Sequence, residues 1–425
     1  MRLARWTHIG VSIIGALAMT SCGPFAQRGV PQAAEDLVFV GTSEGLAAIN
    51  PARGRVEFTA PHAVATPDWS RLFATSREGA NRLGVLDGRT GAEQASLSLP
   101  EGLVPRVVST SGRRVALAVP RPVGPGQYAP GGRERTTIVV VDTSGKAEPK
   151  RLELPGNLEP EAFSADDQRL FVIDYLPPEA PDRYRVRQLD LATGAVRPVP
   201  GIKGLVPEEE MRGTGRMQVL APDRSTLYTL YTHQPDHLHS RDLAQGRTTA
   251  RGDVHAFVHI LSLKEGWAFC LNLPTPFGIG PATAHALAVS PDGKYLYVVD
   301  RSSGAVAMAD AQQRIVVRST NVGAGTRADR GVAAQVGPDG TLYVAGGSEL
   351  LAVNGRTLAV ERRWPIAGTV TGLGVSSDST RLYLGQDARM AVLDVQTGDE
   401  LGTVSTPGIQ AVKHVGRIEP LSSQS

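Results

Sequence analysis

Five of the nine histidines fall between residues 233 and 259. His233, His237 and His239, with Asp236 among them, occupy a polar, proline-containing stretch, and His255 and His259 follow in an apolar alternation. Neutral imidazole is the commonest metal ligand, so His233, Asp236, His237 and His239 are the candidates for holding an ion. Their spacing speaks against it. His-x₃-His is ligand spacing on a helix, and nothing around residue 235 reads as one. His255 and His259, if extended, share a face but stand about 13 Å apart. The reading is solvated loop histidines, with no metal and no other cofactor assigned.

A second group lies upstream: Tyr128, Arg133, Arg135, Tyr175, Arg183, Tyr184 and Arg185. Tyr and Arg are the residue types that carry contact energy at interfaces. With His233, His237 and His239 they form the expected ligand or partner face. Signs of catalysis are sparse. NVGAGT (321–326) has no helix after it to make a phosphate cradle, and no Gly-x-Ser-x-Gly elbow occurs. Glu208-Glu209-Glu210 reads as a solvated acidic run. Catalytic residues are unassigned, and whether the chain is an enzyme stays open.

These residues must be positioned by a repeating framework. From Asp36 onward one statement recurs, most clearly from His285: HALAVSPDG, KYLYVVDRSSG, AVAMADAQQ, RIVVRSTNVG. Apolar residues alternate within each piece and turn residues separate the pieces, so each copy predicts four antiparallel strands in an all-β chain. Turns between the first two strands recur seven times, at 66–69, 110–112, 165–167, 222–224, 291–293, 338–340 and 377–379. A polar residue ending the third strand recurs eight times: Asn50, Asp87, Asp142, Asp190, Ser262, Asp310, Asn354 and Asp394. Their spacings run 37, 55, 48, 72, 48, 44 and 40, near the roughly 40–50 residues of a propeller blade apart from the longer intervals. The first copy (DLVFVGT, 36–42) lacks an innermost strand, and GIQAVKHVG (408–416) is a strand without a copy. Pairing the two closes the ring and removes an open edge. The prediction is a single propeller over 36–420 with eight four-stranded blades, seven being the alternative count, followed by a disordered tail at 421–425.

LYVVD (296–300), LYVAG (342–346) and LYLGQ (382–386), each after a PDG-like turn, resemble bacterial YVTN-type β-propeller repeats, as do QLDLATGAV (188–196) and VLDVQTGDEL (392–401). The segment 255–278 looks like a blade variant of such exported propellers. The resemblance implies the fold and no particular reaction, since propellers host binding proteins, lactonases and redox enzymes alike.

The first residues read as an address. Arg2 and Arg5 precede an apolar run from Ile9 to Met19, too short for the roughly 20 residues of a spanning helix and typical of a signal peptide. Met19-Thr20-Ser21-Cys22 resembles the bacterial lipobox, which implies lipidation of Cys22 and an extracytoplasmic, membrane-anchored protein. Residues 1–22 are then the signal and 23–35 a flexible tether. Cys270 is the other cysteine; its apolar alternation predicts a buried thiol. Forty-four basic against 42 acidic residues give +2, with no basic run of the kind that binds nucleic acid.

Extra residues concentrate between the second and third strands of copies three to five, at 120–137, 174–185 and 232–253. Such loops emerge on one face of a rigid scaffold, where binding concentrates. The expectation is a monomeric binding or scaffold module holding a protein, glycan or small ligand there. The alternative is a lactonase-like hydrolase, and after it a quinoprotein-like redox enzyme, although no Cys-x-x-Cys-His haem motif is present.

Overall fold

The computed structural model describes residues 35–75, 81–99, 102–120, 129–202, 210–211, 217–233, 254–323 and 331–417. It contains eight four-stranded antiparallel sheets arranged as blades. Each blade is built in chain order from an innermost to an outermost strand, except the first. There the order from the outside is Arg55–Ala60, Gly45–Asn50, Asp36–Thr42 and, innermost, the C-terminal strand Ile409–Arg417. This last strand pairs antiparallel with Asp36–Thr42, so the ring closes as expected. The other innermost strands are Val64–Ala65, Val104–Val108, Asn157–Phe163, Met217–Leu220, His285–Val289, Val332–Val336 and Gly372–Val375, for blades 2 to 8.

All eight polar landmarks end the third strand of their blade. Each is there because its side chain accepts from the backbone of the turn that follows. Asp87 Oδ1 accepts from the amides of Arg89 and Thr90 at 2.9 Å, and Asp394 Oδ1 from Gln396 and Thr397 at 2.7 and 2.9 Å. Asn354 does the same at 3.0 Å, and Ser262 Oγ accepts from Glu265 at 3.1 Å. A carboxylate, amide or hydroxyl each satisfies amides that the ladder cannot, which explains the interchange of residue types.

The core lies between blades. Alternation sends successive residues of a strand to opposite neighbours. In Tyr295–Asp300, Leu296 and Val298 pack with Leu230, Val258 and Leu287 of blades 5 and 6, while Tyr297 and Val299 pack with Val344 and Leu351 of blade 7. Every blade is thus buried on both faces, and each fully buried Val or Leu contributes about 1.5–3 kcal/mol. Cys270, in the outermost strand Ala268–Asn272, is buried as expected. Among the described residues no helix is long and apolar enough to cross a membrane.

Candidate functional site: the loop face and the channel wall

Because strands alternate in direction, the connections from second to third strand and from blade to blade share one face, here called the loop face. Long connections of the first kind lie in blade 3, over 119–134, and blade 5, over 232–256, and a third long segment, 199–216, links blades 4 and 5 on the same face. The extension in blade 4 has a different form from the predicted loop. Its second and third strands, Arg169–Leu176 and Arg183–Asp190, are each eight residues long, so the extra chain is mostly strand with a turn at 177–182. The alternation of FVIDYL simply continues into it.

The connections of blades 3 and 4 are clasped. The amide of Arg133 donates to the Pro178 carbonyl at 2.7 Å. Asn157, fully buried, donates from Nδ2 to the carbonyls of Pro178 at 3.0 Å and Gly131 at 3.2 Å. Gly132 lies so close to the neighbouring loop that a Cβ there would fall 1.7 Å from the Glu179 carbonyl oxygen. Only glycine permits that approach.

The structure separates the expected face residues. Tyr175 and Tyr184 face each other in register and are 5% and 4% exposed, so neither offers a contact surface. Their rings, 5.9 Å apart, continue through Tyr231 (5.7 Å) to Phe257 (5.3 Å), an aromatic stack between blades 4 and 5. Arg183 pairs with Asp182 at 2.8 Å and with Glu210 at 2.6 Å, which gives the last residue of the acidic run a structural partner. Met211 next to it exchanges both backbone hydrogen bonds with Tyr184. Arg185 Nε donates to Asp174 Oδ2 at 2.9 Å. Arg133 is half-buried and Arg135 exposed. His233 has its backbone at φ 57° and its Nδ1 3.1 Å from Thr232 Oγ1. Burial, then the neighbouring His285 and His255, hold its imidazole below the usual range. Tyr128, Asp236, His237, His239 and Cys22 lie outside the described residues. Among the described residues no three His, Cys, Asp or Glu side chains group as metal ligands would.

The channel wall carries residues that the sequence reading did not single out. Each innermost strand pairs on one side only, leaving its other edge toward the axis. Blades 2 and 5 to 8 pair there in regular register. Blades 3 and 4 each carry one extra residue, Arg106 between Pro105 and Val107 and Glu161 between Pro160 and Ala162, and blade 1 carries two, Lys413 between Val412 and His414 and Gln410 between Ile409 and Ala411. On the partner strands the bulges at Arg106, Glu161 and Lys413 lie opposite Ala116/Leu117, Phe171/Val172 and Phe39/Val40. Counted from the polar residue ending each third strand, these three positions are equivalent. A bulge re-aims a side chain, and the three residues at these equivalent positions are all charged: Arg106 and Glu161 reach the neighbouring blade, and the Lys413 stem lies over Gly41.

Arg106 Nε donates to Glu159 Oε1 of blade 4 at 2.5 Å. Glu159 is 6% exposed and its Oε2 has no hydrogen-bond partner. Glu161 Oε1 accepts from Gln218 Nε2 of blade 5 at 2.5 Å. Lys413 is exposed yet makes no ion pair among the described residues, and crowding by surrounding protein lowers its pKa. Its stem lies over Gly41, where a Cβ would meet Cε at 3.1 Å. Beside it His414 stacks on Trp69 at 4.9 Å and 5°, and desolvation pulls its pKa down to about 4. A sequence signal was present: Pro105-Arg106 and Pro160-Glu161 each set a proline before a charge inside an apolar strand. Proline, with no N–H to give, suits the strand at a sheet edge.

No protein-family model matches the chain, and no curated protein does. Among solved structures the chain is similar to apo AztD from Citrobacter koseri, at 11% identity and a TM-score of 0.52, over 90% of this chain and 98% of that one. A second structure of Citrobacter koseri AztD is similar at 11% identity and a TM-score of 0.52, over 90% and 96%. At that identity the likeness is one of fold, and it agrees with the ring described above.

Proposed function

We propose that this chain is a lipid-anchored, extracytoplasmic binding module that holds its partner on the loop face of blades 3 to 5. The observation that carries the reading is the clasp between residues 131–133 and 178–179, with Asn157 buried beneath it. It turns two connections into one fixed rim, and a fixed rim gives up little conformational entropy on binding. Arg133 and Arg135 belong to this rim, whereas Tyr175 and Tyr184 support it from below. The signal-like first residues and Cys22 supply the anchor, and the tether over 23–35 lets the disc stand away from the bilayer.

The experiment compares the full chain with variants in which residues 120–137 or 232–253 are replaced by short turns. Binding to envelope glycans and to purified envelope proteins is measured by surface plasmon resonance. A partner that binds the parent chain and is lost from variants melting like the parent supports the reading. A partner held equally by both trimmed variants overturns it. A Cys22→Ser variant is expected to leave the membrane fraction, and an equally membrane-bound variant contradicts the anchor.

A further inference from the structure

We infer that a cleft between blades 6 and 7, on the face opposite the loop face, binds a small zwitterion in which a phosphate and an ammonium are joined by a short link, as in a phosphoethanolamine headgroup. Lys294 and Arg356 take the phosphate, and Asp292 and Asp339 take the ammonium. This opposite face gathers the turns between first and second and between third and fourth strands, and is here called the turn face. The cleft has a volume of about 800 Å³, within the roughly 300–1,000 Å³ of small-ligand sites. Its walls are the first turn of blade 6 and the first and outer turns of blade 7.

The cleft exists because blade 6 departs from its siblings. The second strand opens with an arginine in blades 2, 3, 4 and 8: Arg71, Arg114, Arg169 and Arg381. Two of these cross to the next blade. Arg71 Nη2 donates to the Gly112 carbonyl of blade 3 at 3.2 Å, and Arg169 lies over Gly266 of blade 5, where a Cβ would fall 2.3 Å from Nη1. Blade 6 opens the same strand with Tyr295 instead. Its seam with blade 7 is joined deeper, where Tyr297, 2% exposed, donates to the Gly355 carbonyl at 2.8 Å. The space that an arginine crosses in blades 2 and 4 is here the cleft.

Each wall brings one cation and one carboxylate. Blade 6 supplies Lys294 and Asp292, blade 7 supplies Arg356 and Asp339, and all four residues are exposed and line the cleft. Neither Lys294 nor Arg356 makes an ion pair among the described residues. Lys294 Nζ stands 5.1 Å from the Tyr295 ring centroid, an attraction that keeps the ammonium at the wall. Asp292 Oδ1 accepts from Ser290 Oγ at 2.5 Å and from the Lys294 amide at 3.0 Å. These bonds hold its carboxyl below the usual range, so it is ionised at neutral pH. With both signs balanced, a lone anion or a lone cation meets repulsion as well as attraction, whereas a zwitterion pairs with both. Lys and Arg are the residue types that bind phosphate oxygens. The place on the molecule agrees. Glu35 pairs with Arg53 in the outer turn of blade 1 at 3.5 Å, and Asp36 accepts from Ser377 in the first turn of blade 8 at 2.6 Å. The chain therefore enters the ring at the turn face. Under the anchored reading proposed above, on which a lipid source of the ligand rests, this is the side that meets headgroups.

The test is titration calorimetry of the full chain with glycerophosphoethanolamine, and with glycerol phosphate and ethanolamine as its anionic and cationic halves. Saturable binding of the zwitterion is expected, with each half at least tenfold weaker. Lys294→Met and Arg356→Met are each expected to lose threefold or more in affinity. Tyr295→Arg restores the arginine that four other blades carry and is expected to abolish binding. Should that variant fail to fold, the double variant of the exposed Lys294 and Arg356 to Met carries the test. Absence of saturable binding of the zwitterion overturns the inference. So does either half binding as tightly as the whole, or a folded Tyr295→Arg or double variant that binds within threefold of the parent. Flotation of the Cys22→Ser chain with phosphatidylcholine vesicles, with and without phosphatidylethanolamine, separates the sources. Flotation that needs phosphatidylethanolamine and is lost from Lys294→Met supports the site as one for a lipid headgroup. Calorimetric binding without flotation supports it as one for a free ligand of the same chemistry. Trimming 120–137 or 232–253 is expected to leave this binding unchanged, so failure of the cleft and failure of the rim are read separately.

Discussion

His414 shows how much one position on the inner wall determines. Its ring lies flat on Trp69, and desolvation alone brings its pKa from the ordinary 6.5 to about 4. The unfolded chain therefore takes up a proton before the folded one does. The neutral form contributes about 3 kcal/mol of stability that is complete above pH 6.5 and lost as pH falls toward 4. His414→Phe keeps the stacking and removes the proton. Its unfolding free energy is expected to fall less than the parent's between pH 7 and 4.5, and parallel urea titrations at both pH values check this. At the same scale, Tyr184→Ala is expected to destabilise the chain by about 3–5 kcal/mol, because it empties the stack between Tyr175 and Tyr231. A loss under about 1 kcal/mol in chemical denaturation would return Tyr184 to the surface role that its residue type first suggested.

At the scale of the element, the blades are held in register by side chains at strand ends. Asp394 accepts two turn amides, and Asn354 does the same work in the preceding blade. Asp394→Asn is therefore expected to be nearly neutral and Asp394→Ala to cost about 1 kcal/mol, a difference that thermal melts of the two variants resolve. The eight strand-ending residues were legible in the sequence because each serves its own turn, within three residues of itself. The blade 4 extension was not, since continued alternation and a loop of mixed polarity look alike until a partner strand is known. Arg106 and Glu159 stayed hidden for a related reason: they are 53 residues apart in the chain and meet only when blade 3 stands beside blade 4.

At the scale of the whole molecule, stability rests on closure. Ile409–Arg417 covers the inner edge of Asp36–Thr42, and Asp36 ties that strand to blade 8. Tyr383 Oη donates to its Oδ2 and Ser377 Oγ to its Oδ1, both at 2.6 Å. Asp36 is 3% exposed, so Asp36→Ala strands a buried hydroxyl and is expected to cost about 2–3 kcal/mol. Deleting residues 409–425 exposes the edge and opens the ring, and no cooperative melting transition is expected from that chain. A truncated chain that melts at the parent's temperature, followed by circular dichroism, would show that closure does not hold the ring.

The sequence by itself determined the all-β class, the repeating four-stranded blade, the strand-ending residues, the closing strand and the concentration of extra residues in the middle blades. All of these follow from alternation and turn chemistry, which act over a few residues and leave a periodic trace. The tertiary structure settled the blade count at eight rather than seven. It decided which Tyr and Arg residues support the rim and which stand on it, that residues 131–133 clasp residues 178–179, and that Arg106 and Glu161 reach the neighbouring blade. Those relations join blades distant in the chain. A ring imposes them through the packing of one sheet on the next, and no spacing along the chain encodes that.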